Sequence, residues 1–406
     1  VQVFSQDNFG GTSQRYTTNS TGYNSLQSGQ LISALNSGYS NSALQSFFNR
    51  ASYIYNNKYL ATFTARLDGS SRFRGANQYS FFPSGALAWR ISEEPFMKRL
   101  TVVSDLKARA SYGITGSQAI APYQTLDLVA SNNTVTIDGN TTTLAFFPNQ
   151  LANPALLWEQ TRQFDAGLDV GLFKNRLNLT LDYFVKRTQD LLLNVDLPAT
   201  TGFGTVLSNV GSLENRGVEL GINSRNVVGK FTWTTALNLT TVRNNVLSLG
   251  KRQFLLTAPG LDRASPGDGG GARVGITQVG QPVGSFYVLL EDGIIDDAEE
   301  LKTAPTYNGM VVGGRRYVDT NGDKVINAND RVIVGNSQPR FTGGITNDFS
   351  FAGFDLSVFL EGSYGNRIYN ASRFLLERPN AAFNVTREFY ENRWTGPGTS
   401  TTYPQV

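Results

Sequence analysis

The chain of 406 residues contains no cysteine, no histidine and only two methionines. Without cysteine there is no disulfide framework, no thiolate metal centre and no thiol nucleophile. Without histidine the commonest general base and the commonest zinc ligand are both gone. Charged residues reach only 17%, below the usual quarter, and a net charge of +3 gives no argument for a nucleic-acid partner. Nor does any apolar run extend far enough for a transmembrane helix. That excludes a helical membrane protein and leaves a barrel open, because barrel strands hide their hydrophobicity in alternation. Val1 opens no signal peptide, having neither a basic nor an apolar stretch behind it. The chain therefore reads as a piece whose natural start lies upstream.

What the sequence does have is a two-residue rhythm. Leu106–Tyr112, Phe164–Leu172 and Leu177–Tyr183 each set apolar or aromatic groups on one face and charged, polar or glycine residues on the other. Strands arrive in pairs: Ser46–Tyr55 with Lys58–Asp68, Glu159–Leu172 with Arg176–Arg187, Asn215–Asn226 with Lys230–Asn244, and Arg340–Phe351 with Phe354–Tyr364. Their turns are short, whereas long excursions run at about 115–157, 188–213, 245–339 and 365–406. The first forty residues, rich in Ser, Asn, Gly and Gln, read as a surface loop. About ten strands result, near ten residues each, the length that crosses a tilted bilayer and more than a soluble sandwich strand needs. The fold class is all-β, an antiparallel transmembrane β-barrel, with short periplasmic turns and long extracellular loops assigned by the alternation of connection lengths. Gly167, Gly171, Gly217, Gly221 and Gly344 fall on the polar face and suit a wet lumen. Tyr53, Tyr55, Tyr59, Trp89, Trp158, Phe173 and Trp233 gather near strand ends, as interfacial girdles do.

Several segments carry a more specific signal. Arg66-Leu67-Asp68-Gly69-Ser70-Ser71-Arg72-Phe73, then Phe82-Pro83-Ser84 and Ala88-Trp89-Arg90-Ile91, are followed in order by Ser104–Gly113, Gly116-Ser117-Gln118, Trp158–Thr161, Asn209-Val210-Gly211, Glu214–Glu219 and Phe354–Asn366. This colinear series resembles the SusC/RagA family of TonB-dependent outer-membrane transporters over nearly the whole chain. The resemblance implies a 22-stranded barrel with a plugged lumen. It also implies a SusD-like surface lipoprotein as partner and import of oligosaccharide or peptide driven through TonB. Plug, TonB-contacting segment and closing strands are not expected in this chain. Alone, its sheet would expose both edges. Two other readings stay open: a barrel serving as scaffold or surface-binding component of a larger assembly, and a soluble calcium-binding β-domain.

Among local motifs, Asp319, Asn321, Asp323, Val325, Asn327 and Asp330 stand at places 1, 3, 5, 7, 9 and 12 of a calcium-type loop. A hard cation needs six to eight oxygens, and this spacing wraps them round one centre. Lys324 replaces the usual sixth-place glycine and Asp330 the usual glutamate; an ion-free Asx-rich turn is the alternative. The role expected is structural. Asp296, Asp297, Glu299 and Glu300 read as a solvated loop or short helix, and Gly267–Gly271 as a linker rather than a phosphate cradle. The inward carboxylates Asp165, Asp169, Asp182 and Glu219 show no glycosidase-like pairing, and no catalysis is expected. Tyr123, Tyr307, Arg315, Arg316 and Tyr317 are the candidate substrate contacts, offering stacking and hydrogen bonds from the long loops. Residues 371–393 read as helical, with Phe374, Leu375, Phe389 and Tyr390 on the apolar face.

Overall fold

The structure is a computed structural model that describes residues 1–16, 29–137, 141–257, 273–377 and 384–405; the Gly267–Gly271 linker lies outside them. The chain opens with β1 (Gln2–Tyr16), β2 (Gly29–Tyr55), β3 (Tyr59–Ser70), β4 (Tyr79–Arg90) and β5 (Val103–Ser117). A side hairpin, β6 (Leu128–Ile137) and β7 (Thr141–Gln150), precedes β8 (Glu159–Leu172) and β9 (Leu177–Gln189). A second one, β10 (Leu192–Asp196) and β11 (Thr205–Asn209), precedes β12 (Ser212–Val227) and β13 (Phe231–Ser248). The longest excursion holds β14 (Phe254–Thr257), β15 (Gly275–Gln278), β16 (Ser285–Val288), β17 (Glu291–Ile294), helix α1 (Ala298–Thr303), β18 (Arg315–Tyr317) and β19 (Val332–Asn336). Then follow β20 (Phe341–Phe351), β21 (Phe354–Tyr364), α2 (Ala371–Leu376) and α3 (Arg387–Asn392).

Eleven strands share one sheet in the order β1-β2-β3-β4-β5-β8-β9-β12-β13-β20-β21, an up-and-down path with the excursions left out. β1 and the first half of β2 fall where a surface loop is expected. They pair from Gln2↔Leu44 to Tyr16↔Gly29. The segment is polar on both faces, so its strands leave no alternation to read. The predicted helix 371–393 is instead two six-residue helices, α2 and α3, with residues 378–383 outside the described ones.

The chain divides into two compact units, the first Val1–Pro95, Lys107–Ala166 and Lys186–Gly211, the second Phe96–Leu106, Gly167–Val185 and Ser212–Val406. In the first, register places Tyr59, Ala61, Phe63 and Leu67 of β3 beside Tyr55, Tyr53, Ala51 and Phe47 of β2 and Trp89, Leu87, Gly85 and Phe81 of β4. Among the described residues no protein layer covers this apolar face: Tyr53 and Leu87 are both 66% exposed. Asn56 and Asn57 turn β2 into β3 with φ of 48° and 58°, the left-handed pair that suits strand twist. Beside the turn, Glu94 accepts hydrogen bonds from Lys58 Nζ and Tyr59 OH, both at 2.8 Å, and from Trp89 Nε1 at 3.2 Å. Lys58 above all, then Tyr59 and Trp89, hold the Glu94 carboxyl below the ordinary carboxylate range.

The buried core of this unit lies at the opposite strand ends. Phe73, Phe82, Ile120, Leu156 and Trp158 form it, with Leu44, Ile114, Leu192 and Leu207 packed against them. The Arg66–Phe73 segment explains itself here. Asp68, 6% exposed, accepts from Arg66 Nε at 2.7 Å. Ser71 Oγ accepts the Ala43 N–H at 2.8 Å, Arg72 Nη1 donates to the Ile120 carbonyl at 2.8 Å, and Phe73 enters the core. Gly116 is required by the Phe82 ring, since a Cβ there would stand 2.0 Å from it. Gly116→Ala is expected to cost about 1–3 kcal/mol through overpacking. Faster proteolysis of the 118–157 excursion in the full-length receptor would register it, and wild-type protection would refute it.

In the second unit β12, β13, β20 and β21 form antiparallel ladders, unbroken for β13–β20 and β20–β21 and with register shifts near both ends of β12–β13. Register puts Trp233 opposite Phe349 and Thr235 opposite Asn347. The Trp233 and Phe349 rings stack at 5.7 Å. Asn347 Oδ1 accepts from Trp233 Nε1 at 3.0 Å and from Thr235 Oγ1 at 2.7 Å, so the aromatic belt has its polar handles satisfied. On the opposite face a Cβ at Gly217 would stand 2.8 Å from the Phe184 ring and 2.1 Å from the Thr241 carbonyl oxygen, so only glycine fits.

Candidate functional site: an extracellular platform on the polar wall

The excursion between β13 and β20 folds into a platform whose shape is fixed by charge. β17 pairs with β18, setting Glu291 against Tyr317 and Ile294 against Arg315. Arg315 Nη1 donates to both Glu291 oxygens, at 2.6 and 2.5 Å. Arg316 Nε donates to Asp292 Oδ1 at 2.8 Å, and its Nη1 to Glu300. Tyr307 OH donates to the Arg315 carbonyl at 2.6 Å, and its ring meets Tyr317 edge-on at 5.4 Å. Burial pushes the Tyr307 hydroxyl above its ordinary range. Four of the candidate contacts, Tyr307, Arg315, Arg316 and Tyr317, thus come together, the two guanidiniums already engaged by carboxylates.

The fifth, Tyr123, belongs to the first unit. Its hydroxyl accepts the Asn41 N–H at 2.9 Å and its carbonyl accepts from Gln150 Nε2 at 3.1 Å. A φ of 67° marks it as a bend residue. These contacts hold the β6–β7 hairpin beside β2.

The 319–330 loop is compact. Asp319 accepts the Gly322 N–H on Oδ1 at 2.7 Å and the Lys324 N–H on Oδ2 at 2.8 Å. Those amides, Lys324 first, hold its carboxyl below the ordinary aspartate range. Asp330 is fully buried and accepts the Thr320 and Asn327 N–H groups at 3.0 and 2.9 Å. Asp323 Oδ1 accepts from Val325 and Asn327 Oδ1 from Asn329, both at 2.8 Å. Lys324 takes φ of 65°, the left-handed form usually left to glycine. Asn321 Nδ2 donates to Asp323 Oδ2 at 3.1 Å. Among the described residues no three His, Cys, Asp or Glu side chains gather round one point.

Asp296 has a part the sequence did not reveal. Its carboxylate accepts Trp394 Nε1–H at 2.9 Å and the Gly398 N–H at 2.8 Å, while the Trp394 ring lies on Gly313, where a Cβ would be 2.6 Å away. Gln405 adds hydrogen bonds to the Val312 and Gly313 carbonyls, both at 2.8 Å. Residues 394–405 therefore strap the platform. The neighbouring Asp297 caps α1, accepting the Glu299 and Glu300 N–H groups. The only signal in the sequence was a tryptophan beside Gly396-Pro397-Gly398, which does not name its partner.

The Gly398 N–H, and then Trp394, hold the Asp296 carboxyl below its ordinary range. A depressed folded-state value gives stability that is complete above the unfolded value, about 3.9, and is lost as pH falls through the folded value. Hydrogen exchange at residues 394–405, normalised to its intrinsic pH dependence, is expected to quicken only as pH drops below about 4. Asp296→Asn should quicken it at neutral pH. Equal protection of both proteins at every pH would contradict this.

On the polar wall, Asn238, Thr342, Phe359, Glu361 and Ser363 border a groove of about 420 Å³ floored by Gly344. Asn238 Oδ1 accepts the Gly344 N–H at 2.9 Å. Phe359 and Glu361 lie within the Phe354–Asn366 segment that carries the resemblance, where nothing marks either as lining a groove.

Comparison with known proteins bears on all of this. The family model described as "TonB dependent receptor-like, beta-barrel" matches residues 2–372. TonB-dependent receptor P3 of Formosa agariphila is 37% identical over 396 residues, covering 96% of this chain and 38% of the relative. TonB-dependent receptor SusC of Bacteroides thetaiotaomicron is 35% identical over 370 residues, covering 87% and 35%. The structure of the RagAB peptide transporter superposes with a TM-score of 0.77 at 27% identity, covering 94% of this chain and 40% of that one. The chain thus spans less than half the length of the relatives it matches. Alternating strands, short left-handed turns, an uncovered apolar face and this likeness agree: the chain belongs to the TonB-dependent receptor β-barrel family, as barrel portion of a SusC/RagA-type outer-membrane receptor.

Proposed function

We propose that the protein containing this chain imports oligosaccharides or peptides across the outer membrane. In this reading a SusD-like lipoprotein closes over the extracellular platform, and TonB supplies the work through a segment outside these residues. The observation that carries it is the likeness to both SusC and the RagAB transporter across nearly the whole chain. The polar wall supports the same reading. Cargo would pass along carboxylates, amides and hydroxyls such as Asp165, which accepts from Ser111 Oγ at 3.2 Å and Gln163 Nε2 at 2.8 Å. Tyr307 and Tyr317 would contribute ring faces to capture, with Arg315 and Arg316 stiffening the hairpin beneath them. No catalytic step is proposed.

For the 319–330 loop we propose a structural Ca²⁺. The oxygen set at six places and the left-handed Lys324 support it; the ion would draw the carboxylates inward from their present hydrogen bonds.

Deletion of the gene tests the import reading. The mutant should lose TonB-dependent growth on a defined oligosaccharide or peptide source that the parent uses, and the full-length receptor should co-purify with a surface lipoprotein. Undiminished growth on every source, with a different assembly co-purifying, would favour the scaffold reading.

A further inference from the structure

One patch of the apolar face is hollowed. Across the first unit's ladders, Ala51–Phe63–Gly85–Tyr112 form one row and Tyr53–Ala61–Leu87–Ala110 the next. Large and small residues alternate both along and across the strands, and Phe164 of β8 closes one end. The result is a groove of about 790 Å³. It crosses five neighbouring strands, or about 19 Å at the usual strand spacing.

Its chemistry is one-sided. The nearby hydroxyls belong to the opposite face: Ser52 and Thr62 bond each other at 3.3 Å, and Ser111 donates to Asp165 at 3.2 Å. What remains toward the groove is carbon and aromatic ring, with the phenol hydroxyls of Tyr53 and Tyr112 as its polar atoms. About two residues along the strands, some 7 Å, lies the row Tyr55, Tyr59 and Trp89, with successive centroids 6.5 and 6.4 Å apart. Beyond that row stand Lys58 and Arg90, Arg90 Nη1 donating to Asn57 Oδ1 at 2.7 Å.

We propose that this groove is a specific lipid site, holding one acyl chain of a phospholipid of the periplasmic leaflet with its phosphate at Lys58 and Arg90. The occupant follows from continuity and charge. The face contacts bilayer throughout, the groove opens beside the short Asn56-Asn57 turn on the periplasmic side, and the aromatic row separates an apolar trough from a rim with two cations, Arg90 and Lys58, the latter also donating to Glu94 at 2.8 Å. Left unfilled, the trough's walls would forfeit dispersion contacts that a chain supplies. Chain and rim together select a molecule with an apolar tail and an anionic head.

The test uses the full-length receptor extracted from outer membranes, washed in detergent and weighed by native mass spectrometry with palmitoyl phosphatidylglycerol as added probe. Gly85→Leu with Ala110→Leu fills the trough; a Cβ at Gly85 meets only the Thr62 carbonyl oxygen, at 4.0 Å. The wild type should retain one phospholipid, and the double variant about tenfold less, through lost apolar burial. Photoactivatable phosphatidylglycerol on the unmodified receptor should label peptides carrying Phe63, Tyr112 and Phe164 above others of the apolar face. No retained lipid in the wild type, equal retention in the variant, or even labelling would overturn the site. So would a variant that alters oligomeric state while keeping its lipid, since the groove would then seat a second copy.

Discussion

Trp158→Ala is expected to cost about 3–5 kcal/mol, the range for removing a buried large aromatic side chain, and to release the extracellular ends of the first unit together. Trp158 is 5% exposed, with Phe73 at 5.1 Å and Phe82 at 5.7 Å between ring centroids. The cluster draws on separate stretches of chain. Phe73 comes from the β3–β4 connection, Ile120 and Leu156 from the next excursion, and Leu192 and Leu207 from the β10–β11 hairpin. Neither β6–β7 nor β10–β11 belongs to the large sheet, so this core carries much of what fixes those loops. Trp158→Phe should cost far less, because Trp158 Nε1 makes no hydrogen bond among the described residues and an aromatic ring is kept. Limited proteolysis of the full-length receptor should show cleavage within 118–157 and 192–209 for the alanine variant alone. If both variants stay protected, the loops are held from elsewhere.

Asp330→Ala should be nearly as damaging, for a polar reason. The two oxygens of this buried side chain serve the Thr320 and Asn327 amides, both in part-buried hydrogen bonds. Truncation leaves two part-buried N–H groups without their acceptor, at up to about 1–3 kcal/mol each. Asp330→Asn keeps one acceptor oxygen and should lose about half as much. The loop is also clipped to Thr306, through Thr306 N–H to the Lys324 carbonyl and Ile326 N–H to the Thr306 carbonyl, both at 2.9 Å. Its collapse should therefore loosen the 306–326 contact, read as faster hydrogen exchange at those amides. The same variants test the ion. With Ca²⁺ bound, calcium should slow exchange at 319–330 in the wild type and have no effect in either variant. No calcium response in the wild type would leave the loop as an Asx-rich turn.

The membrane-crossing part of this fold is legible in the sequence because two solvents write it there. Lipid on one side and water on the other force the alternation seen in Tyr59–Leu67, and left-handed turns force Asn56-Asn57 and Ala352-Gly353. Where water meets both faces the signal vanishes, and β1 with the first half of β2 passes unnoticed. Short strands such as β17 and β18 are similarly silent, being too brief for periodicity. The spacing of Asp319 to Asp330 marks a loop, but its acceptors turn out to be answered by the loop's own amides. Arg315 and Arg316 are recognisable as cations, but not as members of pairs with Glu291, Asp292 and Glu300. Asp296 is the clearest case of information the sequence withholds, since Trp394 and Gly398, which give it meaning, lie about a hundred residues away. Such partnerships depend on tertiary closure, which local pattern does not encode.

The difference between the two kinds of connection has a kinetic side. Hairpins closed by Asn56-Asn57, by Phe173-Lys174-Asn175 and by Ala352-Gly353, all with positive φ, bring together residues near each other in the chain. Such contacts form early because little loop entropy opposes them. The β13–β20 ladder, from Phe231↔Phe351 to Thr241↔Phe341, must instead wait for the platform excursion to be gathered in. Assembly of this wall would proceed by hairpins. Its slowest seam would run directly beneath the platform, where an unfinished barrel would be longest open to other strands.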